Sequence, residues 1–372
     1  MIKHLAAGAL ALLLSGCAAV APTIAPSSAP SVERVDGAPA LTPLPMHVGG
    51  RVRQAGQAAT YQWPGVYFET AFTGDSAYFQ VGPGKVILHV RVDGVQVARL
   101  DQPAAGVYRV SGLSAGRHTL RLDAATESQA GPNTFGGFAL AAGERAPLPA
   151  RTRQIEFIGD SHTVGYGNIS TTTDCTEADV WRTTDNTQAF GPVTAGHYQA
   201  DYRINAISGR GVVRNYNGMA ADTLPVAYPF TLFDRSVQEG GAPWQPQVVV
   251  IALGTNDFST PLNPGERWPS RAALHADYQA SYVKLVQSLR ARYAGAHFVL
   301  WATDGLNGEI QDQVRKVVGQ LQAAGEGRVS FVPVNGLGFT GCHAHPSVAD
   351  SRTISSRLIA VIDAQPGVWQ RR

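Results

Sequence analysis

Two kinds of hydrophobic patterning divide this chain. Across residues 50–142 apolar and polar positions alternate in short runs bounded by turn residues. Residues 66–72, 78–81, 86–92, 95–100, 106–110 and 118–122 each read as a strand with one buried face, and 138–140 closes the series. Asp93-Gly94 sits between two of these runs and predicts a tight hairpin. Short strands at this spacing predict an all-β sandwich, most simply a jelly roll.

After residues 143–149 the period changes. Residues 154–158 form a short apolar strand, 186–200 a helix, and 202–207 a second strand. Residues 247–253 are apolar almost throughout, as expected of a central parallel strand covered on both faces. Residues 272–293 repeat at helical spacing, with Tyr278, Tyr282, Leu285 and Leu289 on one side. Strands at 297–302 and 329–334 and helices at 310–324 and 351–362 complete the pattern. Strands alternating with helices predict a doubly wound α/β domain with a parallel five-stranded sheet.

The N-terminus breaks from both patterns. A basic start (Lys3, His4) precedes an apolar run and then Leu14-Ser15-Gly16-Cys17. The run is too short to span a membrane and reads as an export signal. The last four residues resemble a bacterial lipoprotein cleavage box, which implies lipidation of Cys17; ordinary cleavage near Ala18-Ala19 is the alternative. The expected organisation is a signal over 1–17, an Ala/Pro/Ser-rich tether over 18–48, the sandwich over 49–145 and the α/β domain over 150–372. An anchored protein of the cell envelope, facing periplasm or exterior from the outer membrane, is the expected location. Net charge is only +2, with no basic stripe, so nucleic acid is not an expected partner.

Chemistry is sought where parallel strands end. Gly159-Asp160-Ser161 ends the first strand and presents a hydroxyl, Ile207-Ser208-Gly209-Arg210-Gly211 follows the second, and Gly254-Thr255-Asn256-Asp257 follows the third. Gly341-Cys342-His343-Ala344-His345-Pro346 lies between the last strand and the last helix. Each alone reads equally as turn chemistry. Together they offer a nucleophile, N–H and amide donors, and a base.

In that order and strand context these stretches resemble the SGNH (GDSL-type) hydrolases. Ser208 to Tyr216, Gly-Thr-Asn-Asp-Phe258 and the Gly341 to Ser347 stretch resemble, more narrowly, carbohydrate esterase family 2. The resemblance spans roughly residues 50–365 and implies the jelly roll followed by the hydrolase domain. It implies Ser161 as nucleophile and His345 as base, with Ser161, Gly209 and Asn256 forming the oxyanion hole. It implies acetylated polysaccharide as substrate, without cofactor or metal. Tyr216 matches a sugar-contacting aromatic position, with a core tyrosine as the alternative, and Trp301 is a further platform candidate. A lipase or thioesterase, or a binding protein without catalysis, are the other readings.

One departure matters. The positions where the family and its superfamily place an Asp, two or three residues before the histidine, hold His343 and Cys342. A Ser–His dyad oriented by a backbone carbonyl is therefore expected, with Asp304 as a distant substitute. His343 and His345 have metal-like spacing, but a metal site leaves the Gly-Asp-Ser and Gly-Thr-Asn-Asp stretches unexplained. His162 is expected to line the pocket or face solvent. With Cys17 set aside, Cys175 and Cys342 form an even pair in an exported chain, which suggests a disulfide; two free buried thiols are the alternative.

Overall fold

A computed structural model describes Met1, residues 29–240 and residues 244–370. The export signal, Cys17 and the first part of the tether lie outside the described residues.

The first domain is an all-β sandwich of two antiparallel sheets, one seven-stranded and one six-stranded. Val66, Phe68, Phe72, Phe79, Leu120, Leu122, Phe135 and Phe138 fill the space between them. The rings of Phe68 and Phe135 stack with centroids 4.3 Å apart. Tyr61, Trp63 and Tyr67 are all buried core side chains.

The sandwich begins before residue 49. Ser31–Val35 pairs antiparallel with Gly106–Ser111, Thr42–Pro43 with Asn133–Leu140, and His47–Gly49 with Tyr67–Thr73. The tether expected over residues 31–48 rests on an Ala/Pro/Ser-rich composition with almost no periodicity. Edge pairing satisfies backbone groups without a regular period, Ser31–Val35 stays half-exposed, and Leu44 is buried in the sandwich core, with Val32, Met46 and Val48 packed against it.

The second domain is a parallel five-stranded sheet. Its strands are β1 (Gln154–Gly159), β2 (Asp201–Ala206), β3 (Val248–Ala252), β4 (His297–Thr303) and β5 (Val329–Val334), in spatial order β2-β1-β3-β4-β5. The long helices are α1 (Phe190–His197), α2 (Arg271–Arg292), α3 (Glu309–Ala323) and α4 (Val348–Asp363). Helices α2 and α3 pack together over one face and α1 and α4 over the other. Coverage on both faces explains why β3 is buried at every position. Strand order reverses between β1 and β3, and in open sheets of this order ligands bind at that switch point.

The helix expected over 186–200 is broken. Asp185 caps a single 3-10 turn at Asn186–Gln188, accepting from the Thr187 N–H, and Ala189 is extended before α1 begins. An unpredicted helix at Glu177–Thr183 starts at a reciprocal capping box between Thr176 and Asp179.

Candidate active site

Gly159 ends β1 where β3 runs close alongside. A Cβ there would sit 2.0 Å from Thr163 Oγ1 and 3.0 Å from the Ala252 carbonyl, so only glycine fits. Asp160 then caps a single helical turn, Ser161–Val164, by accepting the His162 N–H at 3.1 Å. This turn holds Ser161 at the carboxyl end of β1.

His345 arrives from the far edge of the sheet, after β5. Ser161 Oγ lies 2.9 Å from His345 Nε2, although 184 residues separate them. His345 Nδ1 lies 2.9 Å from the Cys342 carbonyl and 3.2 Å from that of His343. Carbonyls only accept, so Nδ1 carries the proton and Nε2 presents its lone pair to the serine hydroxyl. His343 and Ala344 hold left-handed backbone, φ 51° and 56°, which bends the chain back so that these carbonyls face the ring. Loss of solvent lowers the His345 pKa to about 4, against the opposing pull of its two carbonyl partners. The ring is therefore neutral at pH 7 and able to take a proton.

Asp304 plays no part in this geometry. Its carboxylate accepts the Gly336 N–H at 3.2 Å, and both nitrogens of His345 are already engaged. His343 does not converge with His345 on a common point. Its Nε2 donates to the Cys175 carbonyl at 2.8 Å and its Nδ1 accepts from the Tyr166 hydroxyl at 3.1 Å. Among the described residues no group of His, Cys, Asp and Glu has metal-binding geometry.

Asn256 ties the two glycine-bearing turns together. Its Nδ2 donates to the Arg210 carbonyl at 2.9 Å and to Asp160 Oδ2 at 3.2 Å, touching the neighbours of both Gly209 and Ser161. Both amide hydrogens are thus engaged, so a further acceptor would have to displace one of these contacts, the longer one being to Asp160. Asp257 accepts the backbone N–H groups of Val212, Val213 and Arg214 at 2.9–3.0 Å, which fixes the loop behind Gly209. Among the described residues the N–H groups of Ser161 and Gly209 find no backbone acceptor. Gly209 has φ 81°, a conformation that side chains disfavour. Burial pushes the Asp160 carboxyl up to about 7, with the nearby Asp257 adding to the rise and the His162 N–H opposing it.

The remaining candidates separate. Tyr216 is exposed at 53%, so it is not a core residue, and its N–H donates to the Gly209 carbonyl at 2.9 Å. Trp301 is only 2% exposed and packs edge-on against Phe190 at 5.1 Å. Its position within β4, not past its end, turns the indole into the core, and the expectation of a sugar platform there is corrected. His162 is buried between Trp301, Phe339 and His345 and does not face solvent. Loss of solvent, then the neighbouring His345, lower its pKa to about 3. Cys175 and Cys342 form a disulfide, with Cα atoms 5.5 Å apart.

Two parts of the site carried no sequence signal. Tyr166 lies against the His345 ring, centroids 4.3 Å apart, and is held by His343. Five residues from Ser161, it returns only because one helical turn intervenes. The second part comes from the sandwich: residues 126–132 form one wall of a cleft of about 780 Å³, opposite Tyr166, Trp181 and Ser208. Loop residues without periodicity announce no partner.

Both domains match known families. Residues 48–149 match the carbohydrate esterase 2 N-terminal family, and 157–352 the GDSL-like lipase/acylhydrolase family. An acetylxylan esterase / glucomannan deacetylase of Cellvibrio japonicus is 46% identical over 334 residues, 88% of this chain and 93% of that protein. The cellulase/esterase CelE of Acetivibrio thermocellus is 32% identical over 82% of this chain, which spans only 37% of that longer protein. A solved carbohydrate esterase, described as having divergent catalytic and non-catalytic binding functions in its active site, superposes with TM-score 0.83. It is 44% identical, covering 88% of this chain and all (100%) of that one. A family two carbohydrate esterase from Clostridium thermocellum, solved with cellohexaose, superposes at TM-score 0.78 and 29% identity, covering 87% of this chain and 100% of that one. Matched over both domains, and 46% identical to a relative over most of both chains, the chain belongs to carbohydrate esterase family 2 and is a carboxylic ester hydrolase.

Proposed function

We propose that this esterase removes O-acetyl groups from polysaccharides of the xylan and glucomannan type, through an acyl-enzyme on Ser161. The observation that carries the proposal is the 2.9 Å contact between Ser161 Oγ and the unprotonated Nε2 of His345. Ser161 attacks the ester carbonyl as His345 takes its proton, forming a tetrahedral oxyanion. The N–H groups of Ser161 and Gly209 and the Asn256 amide receive that charge; one such donor is worth roughly 3 kcal/mol of barrier. His345 returns the proton to the departing sugar hydroxyl, leaving acetyl on Ser161. It then takes a proton from the water that attacks the acetyl carbonyl and gives it to Ser161 Oγ as the acyl bond breaks, which releases acetic acid and regenerates the hydroxyl. The imidazolium that forms in each step is steadied by the Cys342 and His343 carbonyls, where a triad would use a carboxylate. Every proton in the cycle is thus carried by His345. The exposed ring of Tyr216, beside Gly209, supplies a face for the sugar. The substrate class is supported by the names of the relatives, acetylxylan esterase and glucomannan deacetylase.

The test is acetate release from acetylated xylan and acetylated glucomannan, compared with esters of longer acids. Ser161→Ala abolishes acetate release if the reading holds; a preference for long acyl chains, or activity surviving in Ser161→Ala, overturns it. We also propose export and lipid attachment at Cys17, supported by the Leu14-Ser15-Gly16-Cys17 stretch. Metabolic lipid labelling that vanishes in Cys17→Ala is the expected result, and labelling that persists overturns it.

A further inference from the structure

The sandwich reaches into the reaction centre through one loop. Glu127 Oε1 accepts the Ser208 N–H at 2.7 Å, and Gln129 Nε2 donates to the Ser208 carbonyl at 3.2 Å. Gln129 also donates to Glu127 Oε1 at 3.1 Å, so the two side chains form one clamp. Both backbone groups of Ser208, a residue of the hydrolase domain, are therefore held from the sandwich.

The Ser208 carbonyl and the Gly209 N–H belong to the same peptide unit. Among the described residues no peptide bond is cis, and in a trans peptide C=O and N–H point in opposite directions. Fixing the carbonyl towards Gln129 fixes the Gly209 N–H away from it. Donation to a carbonyl also polarises the peptide and strengthens its N–H as a donor. The Tyr216 N–H holds the Gly209 carbonyl at 2.9 Å, which fixes the next peptide as well.

The loop has a rigid base. Thr126 Oγ1 accepts the Ile87 N–H at 3.0 Å, and the Ser128 carbonyl accepts from Gln62 at 3.1 Å. The Ala125 carbonyl accepts the Asn186 N–H at 2.8 Å. A donor aimed in advance costs no reorganisation when charge develops. Burial raises the Glu127 pKa, consistent with a carboxyl held inside this joint.

We propose that Gln129 and Glu127 are positioning residues for ester hydrolysis, gripping the Ser208 backbone so that the Gly209 N–H is aimed at the oxyanion. On this account the sandwich completes the active site. The inference rests on the reading of Gly209 as an oxyanion donor.

Gln129→Glu keeps the side chain's shape but sets an acceptor against the Ser208 carbonyl; Glu127→Ala removes the other half of the clamp. Each is expected to lower kcat on 4-nitrophenyl acetate by about 10-fold, a fraction of the 10²–10³ typical of a deleted donor. KM is expected to change less than about twofold, since the interaction forms only in the transition state. Affinity for methylboronic acid, a tetrahedral adduct former on serine, is expected to fall in parallel with kcat. Glu127→Gln, which keeps the acceptor, recovers most of the rate lost in Glu127→Ala. Gln129 is exposed, so Gln129→Glu carries the test even if Glu127→Ala fails to fold.

Unchanged kcat and boronate affinity in Gln129→Glu overturns the inference, as does a loss expressed only in KM. Asn256→Ala separates the two levels. If it weakens kcat and boronate binding while the clamp variants do not, the clamp alone is wrong. If it changes neither, the reading of the oxyanion hole fails with it.

Discussion

In place of a carboxylate, the His345 ring touches backbone. The Cys342 and His343 carbonyls fix the tautomer as an Asp would, but they bring dipoles in place of a full charge. A full charge would raise the histidine pKa; here loss of solvent dominates and holds it at about 4, below the ordinary 6.5. The base form of the imidazole is populated above the lowered value and lost below it. The acid limb of kcat/KM is therefore expected near pH 4, with activity undiminished by His345 at pH 5.5. Asp160, raised to about 7, lies above that limb and can add a separate step to the profile. The profile is best measured in Asp160→Asn, which keeps an acceptor for the His162 N–H; a limb near 6.5 in that variant contradicts the assignment. Asp304→Asn should leave turnover within about twofold of wild type while His345→Ala abolishes it, since Asp304 holds Gly336 and not the imidazole. Equal losses in the two variants would restore Asp304 as the orienting acid.

At the scale of elements, the site is assembled where β1 and β3 diverge, from turns that each end a different strand. Ser161 follows β1, Gly209 follows β2, Asn256 follows β3, and His345 lies between β5 and α4. The disulfide joins the loop after Ser161 to the turn that carries His345, closing 167 residues of sequence. Because the Cys342 carbonyl is the imidazole's own partner, the bridge holds the His345 ring as well as the fold. Replacing both cysteines by Ser is expected to cost about 2–5 kcal/mol in stability by denaturant titration. It should also lower kcat more than KM on acetylated xylan. Loss of stability with full kcat would mean that the turn keeps its shape unaided.

For the whole molecule, the two domains meet through buried polar contacts that neither could satisfy alone. Arg51 of the sandwich lies 3.2 Å from Glu156 of β1, both side chains fully buried, and also reaches the Tyr228 carbonyl. Glu156 further accepts from the Tyr228 hydroxyl at 2.7 Å and from Asn205 at 2.5 Å. Tyr67 of the sandwich donates to Asp201 at 2.8 Å, and the Trp63 indole donates to the Phe230 carbonyl at 3.1 Å. Removing one member of a buried pair strands the other's charge. Arg51→Ala is therefore expected to destabilise the chain by roughly 3–5 kcal/mol, and both domains should melt together. Independent melting of the hydrolase domain would show that the interface is dispensable.

Local patterning alone determined the two architectures and the strand-end stretches, because alternation with period 2 and helical spacing follow from which faces are buried. β3 was legible as a fully apolar run, and the stretch ending in Ser161 as a strand handing over to a turn. The strands over residues 31–48 were not, since an edge strand is held by backbone bonds that composition does not register. The core placement of Trp301, the stacking of Tyr166 on His345 and the reach of Glu127 and Gln129 to Ser208 were decided only by tertiary structure. Each depends on the direction of one side chain relative to residues distant in the chain or across a turn, and no periodicity encodes that. So it is with the imidazole: the sequence showed that no carboxylate stood nearby, and only the fold of Cys342–Ala344 turned two carbonyls to face the ring.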